Sequence, residues 1–149
     1  MVLSSPVVLP ASSLTFMVPG EPAVKGRPRL SVRPLVRGAR VHMVGHIYTP
    51  ARTVAYERKI SICARAVWDG VRYDGSVALS IEACFARPVR RVGAWKRGAP
   101  DVDNIMKIVM DGLTRAGIWK NDSQVAKAMI VKFYATEPSL TVSVEMLGE

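Results

Sequence analysis

Three aspartates, Asp101, Asp103 and Asp111, fall within "APDVDNIMKIVMDGL" (residues 99–113), and a fourth, Asp122, follows in "GIWKNDSQV". The chain has only two other aspartates, against 21 Lys and Arg, so the acidity is local. Like charges this close raise one another's pKa unless something positive neutralises them, either Lys107 with the local helix or a metal ion. Asp101 and Asp103 are two positions apart, so in an extended segment their carboxylates leave on the same side. Hard divalent cations such as Mg²⁺ take oxygen ligands of this kind and leave other positions to water and substrate phosphate. Asp122 is a third donor, provided that the strand after it runs beside the strand preceding the loop. Lys107 lies one helical turn after Asp103 and projects toward the same end, where it could stabilise charge developing on a scissile phosphate.

The same residues have plainer uses. Asp103 is positioned to cap a helix. Lys107 and Asp111, at i and i+4, form a helix-surface pair worth a few tenths of a kcal/mol, and for Asp111, two turns into the helix, that is the expected role. For Asp101, Asp103 and Asp122, spacing alone leaves a metal site and a solvated loop both open.

A formal net charge of +9 points to a polyanionic partner such as nucleic acid or an anionic membrane. Cys63 and Cys84 belong to no CxxC pair, so neither a zinc site nor a redox motif is signalled. His42 and His46 stand four apart without HExxH or a Cys partner and are not expected to bind metal. The uncharged first twenty residues lack a basic start, and Pro6 and Pro10 break their apolar run, so a signal peptide is not expected. No apolar stretch reaches membrane-span length, and a cytoplasmic protein without membrane partners is expected. Residues 1–13 read as a loose N-terminal extension, and residues 14–149 as one domain.

The elements that must position the acids follow from periodicity. "LTFMV" (14–18) is a short strand ending at Pro19-Gly20. Residues 22–56 hold no acidic side chain but Lys25, Arg27, Arg29, Arg33, Arg37, Arg40 and Arg52. That span reads as a long basic loop, then strand-like "RVHMV" and "HIYTP" meeting near Gly45. Thr53 is expected to cap a helix whose buried stripe is Tyr56, Ile60, Cys63 and Val67. Val77, Leu79, Ile81, Ala83 and Phe85 alternate as one face of a half-buried strand. Residues 86–100, with five basic side chains, Pro and Gly, are a loop. A second helix spans about Asn104 to Ala116, with Ile105, Ile108, Val109 and Leu113 inward and Gly117 ending it. "QVAKAMIVKFYA" and "LTVSVEML" are expected to pair as an antiparallel hairpin. The fold class expected is α+β: a mixed β-sheet with two main helices packed on one face.

"DVDNIMKIVMDGLTRAGIWKNDSQV" resembles the signature of the RusA family of Holliday-junction resolvases, D-x-D-N-x-x-K-x-x-x-D-x-L followed by G-[FIV]-[WY]-x-[DN]-D-x-Q-V. "PGEPAVKGRPR" (19–29) and "YTPARTVAYE" (48–57) are similar to N-terminal segments of phage-type members. The resemblance covers roughly residues 14 to 147 and is most specific at 100–125. It implies a RusA-like fold and a Mg²⁺-dependent endonuclease (Mn²⁺ able to substitute). Such an enzyme acts as a homodimer on four-way DNA junctions in a bacterial or phage-infected cell. Carried onto this chain, Asp101, Asp103 and Asp122 are the metal-binding catalytic aspartates, and Lys107 is the catalytic lysine. Where many relatives have two consecutive aspartates this chain has Asn121-Asp122, so local charge is lower by one.

DNA contacts are expected from two basic segments, with Lys25, Arg27 and Arg29 in the first and Arg90, Arg91, Lys96 and Arg97 in the second. Trp95, in the second, either stacks on an unpaired base or folds back onto the sheet. Trp119 is expected in the core. Symmetric cutting of two strands suits a two-fold dimer, with the helix from residue 53 to 68 and its adjacent strand as candidate interface. Two rival readings remain: a catalytically silent junction- or DNA-binding regulatory protein, and a nuclease for other branched nucleic acids.

Overall fold

The computed structural model describes residues 13–148. The expected extension at residues 1–13 therefore lies outside the described residues, except for Ser13. Six strands and two helices follow in the order β1 (Ser13–Pro19), β2 (Arg29–Arg37), β3 (Arg40–Tyr48), α1 (Ala51–Val67), β4 (Val77–Ala86), α2 (Val102–Ala116), β5 (Val125–Ala135) and β6 (Ser139–Met146). A four-stranded mixed sheet has the order β1-β6-β4-β5, and β2 and β3 form a separate two-stranded sheet. The fold is a single-domain α+β arrangement of a mixed sheet and two helices.

Alternation in β4 places Val77, Leu79, Ile81, Ala83 and Phe85 in the core, as the period-2 pattern requires. Leu14, Phe16 and Val18 of β1 and Leu140, Val142 and Val144 of β6 continue that layer. Across the sheet, Phe16, Val142, Ile81 and Ile130 stand in one row. The helices cover this face. In α2, Ile105, Ile108, Val109 and Leu113 are fully buried, the expected stripe. Gly117 ends α2 with φ 83° and donates to Leu113 and Thr114, while the Arg65 guanidinium donates to the Arg115 and Ala116 carbonyls.

Several local expectations are corrected. β5 and β6 do not pair with each other; β4 lies between them, parallel to β5 and antiparallel to β6. Alternation tells which face a strand buries but not which strand lies beside it, and α2 supplies the crossover that a parallel β4–β5 pair needs. The two strand-like segments near Gly45 are one continuous strand, β3. Half of the basic "loop" is its partner β2, and the turn lies at Gly38, where φ is 60°. Gly45 lies within the strand, opposite Val32, with the Leu30 side chain 3.3 Å from where a Cβ would stand.

The buried face of α1 is also rotated: it consists of Thr53, Tyr56, Glu57, Ile60, Ser61 and Ala64, leaving Val67 exposed and Cys63 only half-buried. Gly112 lets α2 approach this face closely at Ile60 and Glu57. Thr53 does not cap α1, which starts after Pro50; its buried hydroxyl accepts a hydrogen bond from the Gly26 amide at 2.9 Å. Asp101, rather than Asp103, stands at the N-cap of α2, and Asp103 lies in the first turn.

Candidate active site

The parallel β4–β5 pair decides how the acidic segments are arranged. The chain leaves β4, passes through the basic loop to Asp101, runs along α2, and re-enters the sheet at β5 just after Asp122. The strand after Asp122 thus runs beside the strand preceding the loop, the adjacency the sequence reading required, but among the described residues Asp122 is not gathered with Asp101 and Asp103. The turn carrying Asp122 is a short 3-10 segment fixed by polar side chains. The Asn121 side-chain oxygen accepts from the Ser123 amide at 3.0 Å. Gln124 donates to the carbonyls of Tyr73 and Gly75 and accepts from the Lys120 amide. Asn121 therefore has a structural task in place of the charge that an aspartate would bring. Trp119, just before the turn, is 1% exposed and donates to Thr114 Oγ1 at 2.7 Å, so it belongs to the core as expected.

Six charged side chains alternate in sign across the junction of α1, α2 and this turn. Arg115 lies 3.5 Å from Glu57, and Glu57 2.8 Å from Lys25. Lys25 lies 2.7 Å from Asp111 Oδ2, Asp111 Oδ1 3.4 Å from Lys107, and Lys107 2.9 Å from Asp122 Oδ2. Three cations and three anions leave this chain of pairs neutral. Burial pulls the Lys25 ammonium down, but hydrogen bonds and charge from Asp111 and Glu57 outweigh it and raise its pKa. The Asp122 hydrogen bond, helped by Asp111, raises Lys107 against its partial burial. Both lysines are therefore cationic at neutral pH.

Asp111 thus does more than the expected i,i+4 pairing, because it bridges two lysines from different segments. Lys25 and Glu57 are partners that sequence spacing did not connect. Lys25 lay within a run of cations, and Glu57 is one acid on a helix otherwise rich in Arg and Lys. The available signal was Glu57's place one turn before Ile60, on the apolar face.

Asp101 and Asp103 stand apart from this network: both are exposed, and no ion pair engages either among the described residues. Asp101 and Asn104 border a cleft of about 770 Å³, whose wall includes Arg27, Arg29, Arg52, Lys96 and Phe85. Lys132 of β5 holds the loop entering this site by donating to the carbonyls of Gly98 and Pro100 at 2.7 and 2.8 Å. Among the described residues no three His, Cys, Asp or Glu side chains are gathered closely enough to hold a metal. The donor chemistry of Asp101, Asp103 and Asp122 nevertheless suits a hard divalent cation, all three being carboxylates near solvent. In this arrangement Lys107 holds Asp122, an ammonium doing locally what a metal cation would do.

The second basic segment is ordered against the edge of β5. Lys96 donates its amide to Lys132, Tyr134 donates to Ala94, and Trp95 bridges Phe133. The Lys96 ammonium lies 5.0 Å from the centroid of Phe85 and 5.5 Å from that of Tyr134, within cation–π range. The Trp95 side chain is 71% exposed and does not fold onto the sheet, and it shares a groove with Arg90, Arg91 and Arg97. His42 and His46 are exposed on β3, where His46 stacks with Tyr48. Among the described residues no helix is long and apolar enough to cross a membrane.

Comparison with known proteins matches residues 19–145 to the family model described as endodeoxyribonuclease RusA. The chain is also 29% identical over 143 residues to the uncharacterized protein YqaN of Bacillus subtilis (strain 168), covering 88% of this chain and 94% of that one.

Proposed function

The chain belongs to the RusA endodeoxyribonuclease family, and from that premise we propose that it is a Mg²⁺-dependent, structure-selective endonuclease. It resolves four-way DNA junctions by paired phosphodiester hydrolysis, in the cytoplasm, as a homodimer. The observation that carries this reading is Lys107. It is held by Asp122 and Asp111 on the helix whose start carries the unpaired Asp101 and Asp103, and Asp101 borders an arginine-lined cleft. A protein that only bound DNA would gain nothing from unpaired carboxylates beside phosphates.

Asp101, Asp103 and Asp122 would hold the divalent ion, which when bound polarises the scissile phosphate and makes its attacking water more acidic. Arg27, Arg29 and Arg52 draw the DNA backbone into the cleft by their charge. Water attacks the phosphorus, the bond to the leaving sugar oxygen breaks, and that oxygen is finally protonated. Lys107 offers its ammonium to the negative charge that develops, and Asp111 with Lys25 keeps the lysine from swinging away. Arg90, Arg91, Lys96 and Arg97 contact flanking phosphates, and Trp95 stacks on a base exposed at the branch point.

The test is cleavage of a synthetic four-way junction, alongside three-way, flap and linear substrates at one salt concentration. Wild-type protein cuts the four-way junction in Mg²⁺ and stops in EDTA. Asp103→Asn binds the junction as well or better but does not cut it. If Asp103→Asn nicks at near wild-type rate, the catalytic assignment is wrong. Binding without Mg²⁺-dependent cutting identifies a silent junction binder, and preference for another branch identifies a different substrate.

A further inference from the structure

The cleft beside Asp101, of about 770 Å³, sorts its lining by depth. Pro22 and Phe85 are buried, and Val24, Pro50 and Pro100 are half-buried, so the interior is largely apolar. Arg27, Arg29 and Arg52 are exposed and put their charge at the mouth, Arg29 where the two-stranded β2–β3 ribbon begins. Lys96 is a fourth cation, its ammonium held 5.0 Å from the Phe85 ring centroid. Asn104 supplies the one side-chain amide of the lining.

The wall is braced. The Lys25 amide donates to the Asn104 carbonyl at 3.3 Å, the Gly26 amide to Thr53 Oγ1 at 2.9 Å, and the Ala86 amide to Glu21 Oε2 at 3.2 Å. A Cβ at Gly26 would stand 2.9 Å from both Pro50 Cγ and Thr53 Oγ1, so glycine lets this segment lie close against α1. These bonds engage amides of the wall, and Pro22, Pro28, Pro50 and Pro100 have no N–H to offer. Such an interior suits the flat faces of an apolar ring better than a phosphate, whereas the arginines at the mouth suit the phosphate. A nucleotide carries both groups, and the cleft has the volume of a preformed small-molecule site.

We propose that the cleft receives one unpaired nucleotide at the branch point, its base among the prolines above Phe85 and its phosphates on Arg27, Arg29 and Arg52. This rests on the endonuclease reading and adds to it a source of structure selectivity. In a continuous duplex every base is paired and stacked, and drawing one out costs least where pairing is already interrupted. Asp101 borders the same cleft, so a nucleotide seated there brings its neighbouring phosphate to that acid. Trp95 lines a different groove, with Arg90, Arg91 and Arg97, and the base stacked on it is a different one.

The test is binding by the full chain in EDTA, where nothing is cut. Wild-type protein binds a four-way junction about ten-fold or more tightly than the same junction with an abasic residue at a branch-point nucleotide, the scale of one lost stacked base. Trp95→Ala, a change at an exposed side chain, keeps that difference. Free probes locate the site by heteronuclear NMR. A deoxynucleoside 5′-monophosphate shifts the amides of Gly26, Phe85 and Asn104. It binds about ten-fold or more tightly than 2-deoxyribose 5-phosphate, which has the charge without the base. The proposal is overturned if abasic residues are tolerated at every branch-point position, or if the difference vanishes in Trp95→Ala. It is equally overturned if the sugar phosphate binds as tightly as the nucleotide, or if the shifts fall outside the cleft. All of these are read without cleavage, so they stand apart from whether Asp103→Asn abolishes cutting.

Discussion

Lys107 Nζ lies 2.9 Å from Asp122 Oδ2 and 3.4 Å from Asp111 Oδ1, so one ammonium joins a helix to a turn fifteen residues further along the chain. That relationship fixes a cation between carboxylates at the end of the molecule where Asp101 and Asp103 are unpaired. On the proposed endonuclease reading, a charge so placed is preorganised and needs little rearrangement when a phosphate arrives.

Lys107→Met is expected to lower single-turnover cleavage of a four-way junction by about 10² to 10³-fold, the range seen when one preorganised charge-stabilising group is removed. Junction affinity, measured by gel shift at the same salt, is expected to change by only about threefold or less, because one phosphate contact among many is lost. Lys107→Arg retains the charge but cannot reproduce a point-like ammonium between two carboxylates, so it is expected to fall between the two. Wild-type cutting by Lys107→Met would remove the lysine from the chemistry.

Lys25→Met tests the network behind that lysine. It leaves Glu57, whose side chain is only 9% exposed, with Arg115 at 3.5 Å as its remaining ionic partner. The expected loss is about 1–3 kcal/mol of unfolding free energy in urea, because a nearly buried carboxylate loses its closest cation. Pairing the substitution with Glu57→Met is expected to recover part of that loss, since the nearly buried carboxylate is then gone and only the more exposed Arg115 loses its partner. Strict additivity of the two changes would deny the coupling.

The sequence made the helix carrying Asp103 and Lys107 legible because its apolar stripe, its glycine stop and its acidic start agree with one another. β4 was legible through its alternation. Strand order was not, because Val125–Ala135 and Ser139–Met146 look like hairpin partners until β4, buried on its inner face and flanked on both sides, takes its place between them. The ribbon was half hidden by its arginines, which made β2 read as loop although they alternate with Leu30, Val32 and Val36. The Lys25–Glu57 and Lys25–Asp111 pairs join residues 32 and 86 positions apart, beyond any local pattern.

Tyr56 makes stability depend on alkaline pH. Its side chain lies against the core, the residue being 8% exposed, and among the described residues its buried hydroxyl oxygen has no well-formed hydrogen bond. Burial pushes the phenol up to about 12, an effect that the Ala23 backbone only partly offsets. An acid held protonated in the folded state stabilises it fully below the unfolded pKa of about 10, and that stability is lost as pH rises from 10 to 12. Holding the phenol at about 12 instead of about 10 corresponds to roughly 2–3 kcal/mol. Tyr56→Phe is therefore expected to flatten the fall in stability between pH 10 and 12, while changing it little at pH 7. Parallel curves for the two proteins in pH-dependent urea unfolding would contradict this.

Gly112→Ala tests the contact that orients α1. Alanine favours a helix interior by about 1 kcal/mol over glycine, so local propensity alone predicts a gain. The geometry predicts the opposite. A Cβ at Gly112 would lie 2.7 Å from Ile60 Cγ2, 2.8 Å from Ile60 Cβ and 3.2 Å from the Glu57 carbonyl oxygen. Ile60 is β-branched and fully buried, so it cannot turn aside, and the helices must separate instead. The expected net loss is about 1–3 kcal/mol, the range for overpacking a closely packed interior. Because Glu57 moves with α1, the Lys25–Asp111–Lys107 chain is expected to loosen as well, lowering junction cleavage more than junction binding. Ile60→Ala costs stability alone by opening a cavity, but in the Gly112→Ala background it makes room for the new methyl group. The double variant is therefore expected to be more stable than the sum of the two single losses implies, and simple additivity in urea unfolding would mean that the close approach is not what Gly112 provides.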